Sequence, residues 1–187
     1  MRVLIGVTGG IAAYKAAFLV RLFIRNGDAV KVVMTESAAR FVTPLTFQTL
    51  SGDRVHTGLF PGPGEYDDAH IALAKWAETF VIAPATANTI AKLAHGLADN
   101  LLTAAVLALP GTTPVYIAPA MNTAMYTKAV TRANLAQVAL TAVIVGPVAG
   151  RLACGDEGMG AMAEPALIFK TVINGNKPKR QRSRRRQ

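Results

Sequence analysis

The sequence predicts an α/β fold: one Rossmann-like, three-layer αβα domain with an open parallel sheet of about six strands. Three observations predict it. Short apolar runs rich in β-branched residues recur along the 187 residues. Segments with helical spacing of apolar residues separate them, which is the pattern of parallel crossovers. Several runs end in glycine or proline followed by hydroxyl and amide side chains. In open parallel sheets that carboxyl edge is where ligands bind.

The elements follow in order. Residues 2–7, R-V-L-I-G-V, form the first strand and stop at Thr8-Gly9-Gly10. A helix follows, I-A-A-Y-K-A-A-F-L-V-R-L-F-I-R, with Lys15, Arg21 and Arg25 off its apolar face. Asn26-Gly27 stops it. Residues 29–34, A-V-K-V-V-M, are a second strand, followed by Thr35-Glu36-Ser37. This is a βαβ unit. A short helix is expected over residues 41–50, after Pro44, and a loop over residues 60–68, F-P-G-P-G-E-Y-D-D. His70 then opens H-I-A-L-A-K-W-A-E.

Residues 79–83 predict a third strand, broken by Pro84, with Thr86, Asn88 and Thr89 just beyond. A helix is expected over residues 90–94, and another after Gly96 with Asp99 as its cap. Val115, Tyr116 and Ile117 make a short buried strand that Pro119 ends, leaving Asn122 past its carboxyl edge. A helix near residues 129–140 and a strand at residues 142–145 come next. R-L-A-C-G-D-E-G-M-G-A-M-A-E-P reads as a glycine-rich loop, with Pro165 near the start of a final helix. The domain is expected to span residues 1–174, with a basic, disordered tail at 175–187.

Composition narrows the function. Hydrophobic residues are 51% and charged residues 17%, which points to surface buried between subunits. No run reaches the roughly 18–20 apolar residues of a membrane span. The N-terminus lacks a signal-peptide pattern, and Cys154 is the single cysteine, so a cytoplasmic protein without disulfides is expected. The net charge is +9, but Lys177, Lys179, Arg180, Arg182, Arg184, Arg185 and Arg186 carry seven of the positives, leaving +2 elsewhere. No aromatic residue interleaves those arginines, so specific nucleic-acid binding is not expected.

The glycine turn does not match G-x-G-x-x-G, because Thr8 and Ile11 stand where glycines would be needed. Two readings stay open for Gly9, Gly10 and Ile11: a plain tight turn, or a helix N-terminus open to an anion. Thr35 and Ser37 would add hydroxyls to such a phosphate site. Asn122 is either a turn N-cap or a side chain that holds a carboxylate or amide. His70 taken alone reads as structural. No H-x-x-x-H or C-x-x-C occurs, so no metal site is expected, and no G-x-S-x-G marks a serine nucleophile. Cys154, flanked by small residues in a glycine-rich stretch, favours chemistry over packing.

Six motifs stand in this order: T-G-G-I-A-A-Y-K, V-V-M-T-E-S-A, H-I-A-L-A-K-W-A, A-P-A-T-A-N-T, A-P-A-M-N-T-A-M-Y and L-A-C-G-D-E-G-M-G-A-M-A-E-P. Together they resemble the homo-oligomeric flavin-containing cysteine decarboxylases, from about Arg2 to about Ile173. Tyr126 stands where that family has Trp. Ala161 stands where many fused bacterial members carry Arg, as in single-function members, and no ligase domain is expected to follow.

The resemblance implies FMN, with its phosphate near Gly9, Gly10, Ile11, Thr35 and Ser37. It puts Thr86, Ala87, Asn88, Thr89 and Ala120 around the ribityl chain and ring. It implies a homo-oligomer, trimer or dodecamer, with the active site at a subunit interface. The implied reaction is decarboxylation of 4′-phosphopantothenoylcysteine to 4′-phosphopantetheine in coenzyme A biosynthesis, through a thioaldehyde and an enethiolate. Loss of CO2 from an acylated cysteine needs an electron sink, and oxidation of the CH2–SH carbon to C=S provides one. His70 is the implied base, Asn122 the carboxylate holder and Cys154 the later proton donor. Lys75, Met125 and Ala153 are the remaining substrate contacts. Two alternatives are a peptide-cysteine oxidative decarboxylase, against which Cys154 argues, and a non-catalytic regulatory flavoprotein subunit, against which the intact catalytic set argues.

Overall fold

The apolar runs pair into one sheet. Its strands are β1 (Arg2–Val7), β2 (Ala29–Met34), β3 (Val55–His56), β4 (Thr79–Ala85), β5 (Val115–Pro119) and β6 (Val143–Ile144). They lie in the order β3-β2-β1-β4-β5-β6, with every pairing parallel. The computed structural model describes residues 1–60, 68–153 and 155–176. Nine helices are described: α1 (Ala13–Arg25), α2 (Glu36–Ala39), α3 (Pro44–Ser51), α4 (Ala69–Trp76), α5 (Ala87–Ala94), α6 (Leu101–Leu107), α7 (Thr123–Thr127), α8 (Ala129–Val138) and α9 (Pro165–Gly175).

The three layers follow from the period-2 alternation of strand side chains. Val3, Ile5 and Val7 face a core shared with Leu19 and Phe23 of α1, Phe47 of α3 and Ile168 and Val172 of α9. Leu4, Phe80 and Ile82 face the other core, with Leu73 of α4, Ile90 of α5, Leu101 and Leu102 of α6 and Leu135 of α8. Gly6 belongs to this second face, where a Cβ would come within 2.9 Å of Leu102 and 3.0 Å of Phe80. The strand order reverses between β1 and β4. Beyond β1 the chain steps outward through β2 and β3, then returns to the other side for β4, β5 and β6. That reversal opens a crevice at the carboxyl edge.

The structure corrects several expectations. Pro84 does not end its strand: β4 shifts register after Ile82 and pairs again at Ala85 with Pro119. The helix expected at residues 90–94 begins at Ala87, because the Thr86 hydroxyl caps it. Asp99 is not the cap of α6. Asn100 Oδ1 accepts the Thr103 N–H at 3.1 Å, while Asp99 takes the ammonium of Lys92. The short helix expected after Pro44 is present as α3 and begins at Pro44 itself, whose missing N–H costs nothing at a first helical position. Glycine content suggested a loop where the chain forms an antiparallel hairpin, β7 (Val148–Arg151) with β8 (Glu157–Ala161). The expected loop at 60–68 falls mostly on residues 61–67, outside the described residues, as do Cys154 and residues 177–187 of the tail.

Candidate functional site

Five strand ends and turns converge on one cavity of about 1070 Å³. Its floor is the carboxyl edge at β1, β2, β4 and β5, and the β7–β8 hairpin forms one wall. The volume slightly exceeds the usual range for a single small-molecule pocket, so two ligands can share it.

At the β1 end, Thr8 is buried and joins two strand ends. Its hydroxyl donates to the Pro84 carbonyl at 2.7 Å and accepts the Thr86 N–H at 3.0 Å. The turn after it places Gly9, Gly10 and Ile11 on the cavity wall. A Cβ at Gly9 would lie 2.3 Å from Ser37 Cβ and 2.9 Å from its carbonyl carbon, so only glycine lets the turn pack against α2. A Cβ at Gly10 would meet Thr86 at 3.6 Å, an ordinary contact. Thr35 caps α2 by accepting the Ala38 N–H at 3.2 Å, and both Thr35 and Ser37 line the cavity. The turn after Thr8 and the starts of α2 and α5 therefore border one space, with the Gly10 N–H committed to the Thr8 carbonyl at 3.0 Å and the Ala38 N–H to Thr35. Helix starts gathered in this way suit an anion.

Thr86, Ala87, Asn88 and Thr89 line the cavity from the start of α5, with Ala120 from the end of β5. Asn122 lines it too. It is the N-cap of α7, its Oδ1 accepting the Ala124 N–H at 2.7 Å. The cap and the site are therefore one residue: the bond to Ala124 fixes the amide plane at the cavity rim. Met125 and Ala153 lie on the same wall. Tyr126 packs its ring under the Arg132 guanidinium, 4.9 Å from the centroid, and its hydroxyl accepts a hydrogen bond from Arg132.

His70 and Lys75 are not on that wall. Both belong to α4, packed in the layer opposite α1. Since α4 joins parallel strands β3 and β4, it runs back against them. His70, in its first turn, therefore lies at the carboxyl edge, as the cavity does. Sequence reasoning missed Thr8, whose signal was a hydroxyl ending a strand. It also missed the cavity-lining charges Glu36, Lys92, Asp99 and Arg151. Among the described residues no group of three or more His, Cys, Asp and Glu side chains could hold a metal ion.

Residues 1–177 match the family model described as Flavoprotein. The "Coenzyme A biosynthesis bifunctional protein CoaBC" of Vibrio parahaemolyticus is 47% identical over 95% of this chain and 44% of its own length. The chain thus spans less than half of these bifunctional relatives. A Streptococcus mutans protein named "Probable phosphopantothenoylcysteine decarboxylase" is 44% identical, covering 91% of this chain and 96% of that one. Among solved structures, a cysteine-to-serine mutant of PPC decarboxylase complexed with pantothenoylaminoethenethiol superposes with a TM-score of 0.82. It is 37% identical over 93% of this chain and 97% of that one.

Proposed function

The chain belongs to the Flavoprotein family, and from that premise we propose that it is an FMN-dependent carboxy-lyase acting on 4′-phosphopantothenoylcysteine to give 4′-phosphopantetheine. One observation carries the reading: a single cavity gathers all ten residues expected to hold FMN together with Asn122, Met125 and Ala153. The cradle at Gly9, which a Cβ would fill, fits a phosphate bound by backbone amides. Gly9, Gly10, Ile11, Thr35 and Ser37 would hold the phosphate. Thr86, Ala87, Asn88, Thr89 and Ala120 would hold the rest.

Bound there, FMN supplies the two-electron sink without which the decarboxylation has no path. The protein's own groups do the remaining work. Asn122 donates an amide N–H to the substrate carboxylate while its oxygen stays committed to Ala124. Met125 and Ala153 give the acyl chain an apolar wall, and Lys75 adds a cation near the substrate. His70 takes the thiol proton. Cys154 returns a proton to the enethiolate carbon.

His70 and Lys75 fit this role through assembly. We take the protein to be a homo-oligomer, a trimer or a dodecamer, in which α4 of one copy completes the cavity of another. Exposed Ile11, Tyr14 and Phe18 beside the cavity support such a contact. The fold is read as one domain over residues 1–174. No helix among the described residues is long and apolar enough to cross a membrane. A cytoplasmic location belongs to the same reading, supported by the single cysteine.

The deciding experiment adds 4′-phosphopantothenoylcysteine to purified protein and follows CO2 and the thiol product. The protein should be yellow and release FMN on denaturation. No CO2 from an FMN-loaded preparation would overturn the reading. Cys154→Ser should still release CO2 but accumulate a product two hydrogens lighter, visible by mass spectrometry.

A further inference from the structure

Two phosphates meet in the proposed complex, one on the cofactor and one on the substrate. The backbone cradle at Gly9–Gly10, with Thr35 and Ser37, lies at the ends of β1 and β2 and accounts for one. The second, carried by the substrate at about −1.5 to −2 charge near neutral pH, needs its own partner.

Besides Lys75, which the proposed assembly brings from another copy, the cavity wall of one copy holds three cations, Lys15, Lys92 and Arg151. Two are already neutralised. Lys15 Nζ lies 2.6 Å from Glu164 Oε1. Lys92 Nζ contacts both oxygens of Asp99, at 2.9 and 2.6 Å. The hydrogen bond from Lys92 holds the Asp99 carboxyl below its ordinary range, so the pair stays ionised and self-cancelling at neutral pH. Arg151 differs. It is exposed and has no ion pair among the described residues. Glu157, across the hairpin, is its register partner but does not line the cavity.

The hairpin also has a fixed seat. The Met121 N–H donates to the Gly160 carbonyl at 3.0 Å, so the hairpin is anchored at the β5 end of the crevice. Strand β4 and the α5 start lie between that anchor and the β1 cradle. Arg151 is thus an uncommitted guanidinium on the wall away from the first anion site, and its planar fork suits a phosphate.

We propose that Arg151 binds the 4′-phosphate of the substrate and makes the site select phosphorylated acyl-cysteine over its unphosphorylated counterpart. This rests on the decarboxylase reading. Arg151 is a specificity residue: it touches a part of the substrate remote from the carbon that reacts.

The test compares FMN-loaded unmodified protein, Arg151→Gln and Arg151→Lys. Each is given 4′-phosphopantothenoylcysteine and pantothenoylcysteine, and kcat/KM is measured for both. Binding of 4′-phosphopantothenate, which has the phosphate but no cysteine, is measured in parallel by calorimetry. In Arg151→Gln the preference for the phosphorylated substrate should fall roughly 10- to 100-fold, mostly in KM, with a matching loss in the calorimeter. Arg151→Lys should keep part of it. An unchanged preference in Arg151→Gln overturns the assignment while leaving the decarboxylase reading intact. If the unmodified protein decarboxylates neither compound, that reading falls and the assignment falls with it.

Discussion

At the scale of single residues, the site depends on which atoms are missing as much as on those present. Gly9 has no Cβ because Ser37 occupies that space. Gly9→Ala should push α2 away from the turn, spoil the amide cradle and weaken FMN binding about tenfold or more. Fluorescence titration with FMN checks this, with circular dichroism confirming the fold. Unaltered affinity would show that the cradle is not the phosphate site. His70 and Asn122 were legible from the sequence only through resemblance, since a histidine in a first helical turn and an asparagine after a strand are usually structural. Asn122 is in fact an N-cap, so the bland reading of its spacing held, and the same residue lines the cavity. The bridging role of Thr8 was not legible, because its two partners, Pro84 and Thr86, are more than seventy residues away in the chain. The pairing of Lys92 with Asp99 escaped notice because Asp99 sits where a helix cap would, and Asn100 beside it competes for that role.

At the scale of elements, two contacts show how pieces are seated. The hairpin meets the β5 end through glycines: a Cβ at Gly158 would lie 2.4 Å from Thr123 Oγ1. Gly158→Ala should lift the hairpin from the Asn122 turn and raise KM severalfold. Thr123→Ala removes the obstructing hydroxyl and methyl, so the double variant should recover most of the loss. Failure of that rescue would show that the contact does not set the hairpin's position. Helix α9 docks in a similar way, since a Cβ at Gly175 would lie 2.1 Å from the Tyr116 hydroxyl oxygen. Burial pushes the Tyr116 phenol above its ordinary pKa. The folded state therefore holds the proton more tightly than the unfolded state. This contribution to stability is complete below the unfolded value of about 10 and declines as pH rises through the folded value. Denaturant melts at rising pH should show a decline above pH about 10 that is shallower in Tyr116→Phe; equal slopes would refute it. Five strands of the sheet were legible from apolar, β-branched runs; β3 was not, because Val55–His56 is only two residues long. The hairpin was not, because five glycines within residues 146–160 mask the alternation that marks a strand.

At the scale of the whole molecule, the parallel sheet was predictable from its repeating units, but the strand order was not: periodicity says which residues pair inward, not which strands become neighbours. If α4 of one copy completes the cavity of the next, two inactive proteins can repair each other. His70→Asn and Asn122→Asp should each lose at least about 100-fold in turnover. Their co-expressed mixture should recover a measurable part, because some interfaces carry both intact residues. A mixture as inactive as its parents, in confirmed hetero-oligomers, would place both residues in one subunit's site. The sheet's borders constrain how such copies meet. The outermost strands, β3 and β6, are two residues each, Val55–His56 and Val143–Ile144. So short a margin offers almost no unpaired backbone for a foreign strand to extend. Growth by adding strand to strand is closed off at both margins, which leaves side-chain surfaces to decide the number of copies. A protein with half its residues apolar thereby has little margin on this sheet through which strand addition could build a fibril.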